Sequence, residues 1–302
     1  MTLDRITLTH SPVSLSRLVY GAWRLADDAD TSTAQVRRKI DAALNEGISS
    51  FDHADIYGNY QCEALFGQAL AADPALRTRL ELISKCDIAL VSERFPDRRL
   101  KYYDTSAGYI RTSVETSLRN LHTDHLDLLL LHRPDPLMDA AETGAALDAL
   151  VDSGLVRAVG VSNFAPSQWR LLQAAMKHRL VTNQIELSVL ERSAFTDGTL
   201  DDMQLDGLQA LAWSPLAGGR LFGDAAAAAR VRPLLEALAV PVQGRIDLAA
   251  LAWLLRHPAG IAPVVGTNAI ERIRGLAGAL EIDVDRQSWF EIWTAAAGEE
   301  VP

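Results

Sequence analysis

The chain has 302 residues, of which 48% are hydrophobic, and a formal net charge of −10. That composition sustains a large core, while the acidic balance argues against a nucleic-acid backbone or an anionic membrane surface as the main partner. Two cysteines, Cys62 and Cys86, are too few for a disulfide framework and lack a metal-ligand spacing, so a reducing cytoplasm is the expected compartment and no metal is expected.

In chain order, Ile6 to Thr9 and Val13 to Ser16 alternate around the turn residues His10-Ser-Pro12 and predict a β-hairpin. Leu18-Val-Tyr20 is the first buried strand, leading into Gly21-Ala-Trp23. Thr33 to Glu46 has a helical pattern with Val36, Ile40, Ala43 and Leu44 on one face and Gly47 as its stop. Ser49 to Asp52 is the second strand, followed at once by polar and aromatic groups through Tyr57-Gly58. Helix 64–71, a strand from Leu80 to Ser84 ending in Lys85, and helix 109–121 follow, with a polar loop over 86–108 that is long enough to carry substrate contacts. Leu126 to Leu131 is a strand ending in His132, Met138 to Val151 a helix, and Val156 to Val161 a strand ending in Ser162-Asn163. Pro166 opens a helix to about His178. Thr182 to Ile185 is a strand, Leu200 to Leu205 a helix, Leu208 to Trp213 a strand, and the alanines from Ala225 to Ala229 are helical. Ile246 to Leu255 is a helix, Ile261 to Val265 a strand, Ile270 to Leu280 a helix, and Asp285 to Ala297 one more.

Eight strands alternating with helices, undivided by any Pro/Ser/Gly-rich linker, predict one α/β domain over 1–302. Its fold is a (β/α)8 TIM barrel with an N-terminal β-hairpin and an extra C-terminal helix. An open doubly wound sheet would place GxGxxG after the first strand, and Gly21-Ala-Trp-Arg-Leu is not that motif. No signal-peptide pattern and no apolar run of about 18 residues is present, so no membrane span is predicted. In a barrel the chemistry lies at the C-terminal strand ends. Those positions are Asp52, Lys85, His132, Ser162-Asn163, Gln184, Trp213 and Gly266-Thr267. Taken singly each has a plainer explanation: a loop cap for Asp52, a packing ring for Tyr57, a surface or Schiff-base lysine for Lys85, a core histidine for His132.

Together, Phe51-Asp-His-Ala-Asp-Ile-Tyr-Gly58 with Glu63 and Phe66-Gly67, Ile83-Ser-Lys85, Leu128-Leu-Leu-Leu-His132, Val159-Gly-Val-Ser-Asn-Phe164 and Asn183-Gln184 resemble the aldo-keto reductase superfamily, in order along nearly the whole chain. Leu131-His-Arg-Pro-Asp-Pro136 and Ala212-Trp-Ser-Pro-Leu-Ala are similar to its bacterial branch of predicted oxidoreductases. The resemblance implies NADPH-dependent reduction of a small carbonyl substrate, an aldehyde or ketone. Tyr57 would be the general acid, and His132 would orient the carbonyl or join the proton relay. Lys85, held by Asp52, would draw the phenol's pKa down towards neutrality.

By the same resemblance Asp52, Ser162, Asn163 and Gln184 would hold the nicotinamide end of the cofactor, and Trp213 would stack on its ring. Ser214, Pro215, Leu216, Gly218 and Arg220 would meet the pyrophosphate. Gly266, Thr267, Asn268 and Arg272 would meet the adenosine 2′-phosphate, which favours NADPH over NADH although Asn268 stands where many members carry lysine. Trp23 would form an apolar wall shared by cofactor and substrate, beside Tyr57 and His132. The neighbouring His53 and Cys86 are expected to be structural. The segment 222–243 and the tail with Trp289 and Trp293 would shape the pocket with the 86–108 loop. Two other classes are a nucleotide-holding regulatory subunit with incidental turnover and a Schiff-base aldolase using Lys85, the latter leaving Ser162, Asn163 and Gln184 unexplained.

Overall fold

Eight short apolar runs form parallel strands: β1 (Val19–Gly21), β2 (Ser50–Asp52), β3 (Glu81–Cys86), β4 (Leu128–Leu131), β5 (Val159–Ser162), β6 (Leu180–Glu186), β7 (Leu211–Trp213) and β8 (Ala262–Val265). They pair in sequence order and β8 closes on β1, giving a barrel in this computed structural model, which describes residues 5–301. Parallel neighbours need long crossovers. Helices supply them: α1 (Thr33–Asn45), α2 (Cys62–Ala72), α3 (Ala107–Asn120), α4 (Ala140–Asp152), α5 (Pro166–Ala174), α6 (Thr199–Leu205), α7 (Ala226–Leu238) and α8 (Ile246–Leu255). The side chains of Ser32, Ser106 and Asp139 accept from the first-turn N–H groups of α1, α3 and α4, satisfying donors that would otherwise be orphaned.

The period of two along each strand separates two cores. Leu82, Cys86, Leu129, Leu131, Val159 and Val161 face outward against the helices. Ile83, Leu128, Leu130, Leu211, Ala262 and Val264 face inward, joined by Ile6, Leu8, Val13 and Leu15 of the antiparallel hairpin Arg5–Thr7 and Ser14–Ser16. Arg5 of that hairpin bonds Ser49 and Glu81, at the starts of β2 and β3, so the hairpin plugs the end of the barrel from which the strands begin. No helix among the described residues is long and apolar enough to cross a membrane.

Several boundaries differ from expectation. Leu126 and Val156 meet only in an isolated bridge, so β4 and β5 start later than their apolar runs. The helix from Pro166 stops at Ala174 rather than His178, and the alanine run is the start of α7. Residues 270–280 do not form one helix: a turn at Ile270–Ile273 is interrupted at Gly275, whose φ of 77° is left-handed, before a 3-10 segment. Inside the 86–108 loop, Ile88–Ala89 pairs with Tyr102–Tyr103.

Candidate active site

Because successive strand residues alternate, the last inward-facing residue of each strand arrives at the open end of the barrel. Gly21, Asp52, His132, Ser162, Gln184, Trp213 and Gly266 accordingly line one cleft of about 270 Å³, with Trp23, Ile56, Tyr57 and Ile88 around them. Lys85 lies behind this lining, fully buried. Between Leu180 and Asn183 of β6 lie two residues, Val181 and Thr182, where β5 has only Gly160 between the paired Val159 and Val161. This bulge re-phases the strand, so that Gln184 reaches Asp52 while Asn183 bonds the backbone of Phe164.

The Lys85 ammonium donates to Asp52 Oδ2 at 2.7 Å, to the His53 carbonyl at 2.8 Å and to the Tyr57 hydroxyl at 3.0 Å. The other oxygen of Asp52 accepts from Gln184 Nε2 at 2.9 Å. Burial acts to neutralise Lys85, but Asp52 and Tyr57 outweigh it and hold the amine charged, above its ordinary range. The expected lowering of the Tyr57 pKa does not survive burial. Burial raises the phenol above its ordinary 10.0 and exceeds the opposing pull of Lys85, so the hydroxyl is a proton-bearing group at neutral pH. His132 meets the Tyr57 ring edge-on at 5.8 Å, and burial, then Lys85, Arg133 and Lys101, hold its imidazole neutral, well below 6.5. Its buried Nδ1 has no hydrogen-bond partner among the described residues.

Tyr57 turns into the cleft because the chain reverses behind it through Gly58 and Asn59, at φ 58° and 53°. A Cβ on Gly58 would lie 2.5 Å from Ala26 Cβ and 2.6 Å from Cys62 Sγ, so glycine is required sterically as well. Ser162, Asn163, Gln184 and Trp213 form one network. Ser162 Oγ donates to the Gln184 carbonyl, Asn163 Nδ2 to Ser162 Oγ, and Trp213 Nε1 to Asn163 Oδ1. Asn163 and Ser214, at the exits of β5 and β7, are held at positive φ.

A second cleft shares Trp23, Arg24, Ser214, Val264 and Gly266 with the first and continues along Pro215, Leu216, Gly218, Thr267 and Asn268 to Arg272. Arg24 and Arg272 line it without a carboxylate partner among the described residues, and the Arg24 guanidinium lies over the Trp23 ring at 5.2 Å. Two free guanidinium groups along a groove suit an extended ligand bearing phosphates. Arg220 is placed differently from the other residues expected here: it is outside this lining, within 3.5 Å of Glu186. Asn268 is bonded on both sides, donating to the Arg24 carbonyl at 2.6 Å and accepting at 2.9 Å from Lys39, which also pairs with Asp28. Sequence reasoning missed Arg24, Lys39, Lys101 and Arg133. Of these only Arg24 and Arg133 carried a local signal, as neighbours of Trp23 and His132.

Behind the cleft His53 is fully buried against the edge of Phe66, with neither ring nitrogen hydrogen-bonded among the described residues, and burial then Lys85 depress its pKa to about 3. The unfolded chain therefore takes up a proton on His53 below about 6.5 that the folded protein refuses until about 3, so this group makes stability fall as pH drops through that window. Asp55 and Asp87, raised by burial, act in the opposite direction above 3.8. His53→Leu is expected to match or exceed the parent's stability near pH 7.5 and to lose less on acidification to about pH 4, since it deletes two unpaired buried nitrogens. Denaturant melts at both pH values measure this, and a variant weaker at pH 7.5 with unchanged acid sensitivity contradicts it. Cys62 and Cys86 are buried, and burial raises both thiols, Cys62 to about 11, as befits inert packing groups.

A family model described as the Aldo/keto reductase family matches residues 17–296. A "6-dehydroglucose reductase" of Agrobacterium fabrum is 53% identical over 99% of this chain and 100% of its own length. A protein of the same description from Novosphingobium aromaticivorans is 40% identical over 98% of this chain and 96% of its own. Among solved structures, a glycerol dehydrogenase from Gluconobacter oxydans superposes with a TM-score of 0.86 at 24% identity, over 100% of this chain and 98% of its own, and shares the fold.

Proposed function

The chain belongs to the aldo/keto reductase family of oxidoreductases, and on that premise we propose that it reduces an aldehyde or ketone to an alcohol with NADPH. Tyr57 would act as general acid, Lys85 and Asp52 as its electrostatic support, and His132 as the group that orients the carbonyl. The observation that carries this is the Lys85 ammonium, buried, shared between Asp52 and the Tyr57 hydroxyl, with Tyr57 and His132 both lining the cleft.

A bound nicotinamide would supply the hydride. Tyr57 would give its proton to the carbonyl oxygen as that oxygen gains charge. The raised pKa keeps that proton in place beforehand, and the charge of Lys85 at 3.0 Å stabilises the phenolate left afterwards until solvent returns a proton. Neutral His132 can donate a hydrogen bond to the carbonyl without giving up a charge. The polar network of Ser162, Asn163 and Gln184 offers donors and acceptors for the carboxamide beside Trp213.

The two relatives named 6-dehydroglucose reductase support a carbonyl on an oxidised hexose as the substrate. Following NADPH absorbance with 6-dehydroglucose and a panel of simple aldehydes tests this. Tight NADPH binding with no turnover on any of them would instead favour a nucleotide-holding subunit. For the cofactor choice, Thr267 and the free Arg272 at the far end of the groove support NADPH. Arg272→Ala is expected to raise the Kd for NADPH about tenfold or more, the worth of one charge-assisted bond, with little change for NADH. Equal losses for both cofactors would remove the 2′-phosphate role.

A further inference from the structure

We infer that Lys101 and Arg133 recognise the hydroxyl oxygens of a sugar-like carbonyl substrate and thereby set the specificity of this cleft. The inference rests on the carbonyl-reductase reading above and assigns its substrate-selecting residues. Both side chains line the same cleft as Tyr57 and His132. Neither has a carboxylate within ion-pair distance among the described residues, whereas Lys39, Arg77 and Arg245 are all paired. In a chain of net charge −10 these two cations lie near enough to His132 to act on its imidazole alongside the buried Lys85, and their unpaired N–H donors suit a ligand rich in acceptor oxygens.

Each is delivered by a fixed backbone. Arg133 directly follows His132; its N–H donates to both carboxylate oxygens of the buried Asp87, and its guanidinium lies over the Trp213 ring at 5.4 Å. Lys101 precedes the strand Tyr102–Tyr103, which pairs with Ile88–Ala89. That excursion is tied down by Asp104 N to the Asp87 carbonyl, by the Tyr109 hydroxyl to the Ile88 carbonyl and by Arg98 to the Tyr60 hydroxyl. Asp87 thus anchors both residues. Trp23, 55% exposed, adds an aromatic face to the same cleft, and a ring face together with N–H donors suits the mixed C–H and hydroxyl surface of a sugar. A carboxylate-bearing substrate is the competing occupant for two unpaired cations, and the comparison below separates it from a sugar.

The test compares wild type, Lys101→Met and Arg133→Met on 6-dehydroglucose, hexanal and succinic semialdehyde with NADPH. Each variant is expected to raise KM for the sugar aldehyde about tenfold while kcat stays within about threefold and hexanal kinetics are nearly unchanged. Equal losses on hexanal, or no loss on the sugar, would overturn the inference, and a loss confined to succinic semialdehyde would overturn it in favour of an anion subsite. A second readout needs no turnover: D-glucose binding to the NADP-loaded protein, followed calorimetrically. Binding that is present in wild type and Tyr57→Phe but lost in both methionine variants upholds the assignment even if the reductase reading fails. Absence of sugar binding in wild type overturns it even if simple aldehydes are reduced.

Discussion

Tyr57→Phe is expected to leave the protein folded and able to bind NADPH while lowering carbonyl reduction about 10²–10⁴-fold, the usual contribution of a positioned general acid. The change removes one oxygen from a ring that keeps its packing against His132, so the loss falls on kcat and not on stability or cofactor affinity. Without that oxygen the Lys85 ammonium still donates to Asp52 and the His53 carbonyl, so no buried charge is stranded. Single-turnover reduction, with cofactor binding read from tryptophan fluorescence, separates the outcomes. A variant retaining more than about a tenth of the parent rate would place the acid elsewhere, with His132 the next candidate.

Lys85→Met is expected to abolish turnover to a similar degree and, unlike Tyr57→Phe, to destabilise the fold by about 3–5 kcal/mol, because it strands the buried Asp52 carboxylate. Among the described residues the Asp52 carboxylate would keep only the hydrogen bond from Gln184. Adding Asp52→Asn to that variant is expected to restore much of the stability and none of the activity, since a buried ion pair replaced by neutral groups of similar size is often nearly neutral. Lys85 has a folded pKa raised above 10.5, so its contribution is fully present below that value and is lost as pH rises through the folded pKa. The stability gap between wild type and Lys85→Met should accordingly be flat through neutral pH and close only at strongly alkaline pH. Chemical denaturation across that range measures it, and a variant as stable as wild type at pH 7 would mean that Asp52 finds its compensation elsewhere.

Barrel class, strand order and the residues at the strand ends were legible because they rest on local periodicity. A buried parallel strand is a short apolar run, and its last inward residue falls by alternation at the end where the site forms, Asp52 and His132 in the cleft lining and Lys85 just behind it. The N-terminal hairpin was legible for the same reason, and its place as a plug was not, since that rests on contacts of Arg5 with Ser49 and Glu81. Strand starts were less so, since Leu126 and Val156 carry the apolar signal without joining the ladder. The break at Gly275 was also hidden, because an apolar pattern running past a glycine does not show whether that glycine goes left-handed.

What the sequence by itself determined about this protein is therefore its architecture and the chemical identity of the groups gathered at the ends of three strands: a carboxylate and a phenol after β2, an ammonium on β3 and an imidazole after β4. Only the tertiary structure decided how those groups titrate and which others join them. The Tyr57 phenol is raised and not lowered, because the desolvation around it outweighs one nearby cation. Asn268 is held by Lys39 from a distant helix, and Lys101 reaches the cleft through a pairing of residues 88–89 with 102–103. Burial and contacts between remote segments leave no periodic trace in the chain, which is why these features emerge only when the barrel closes.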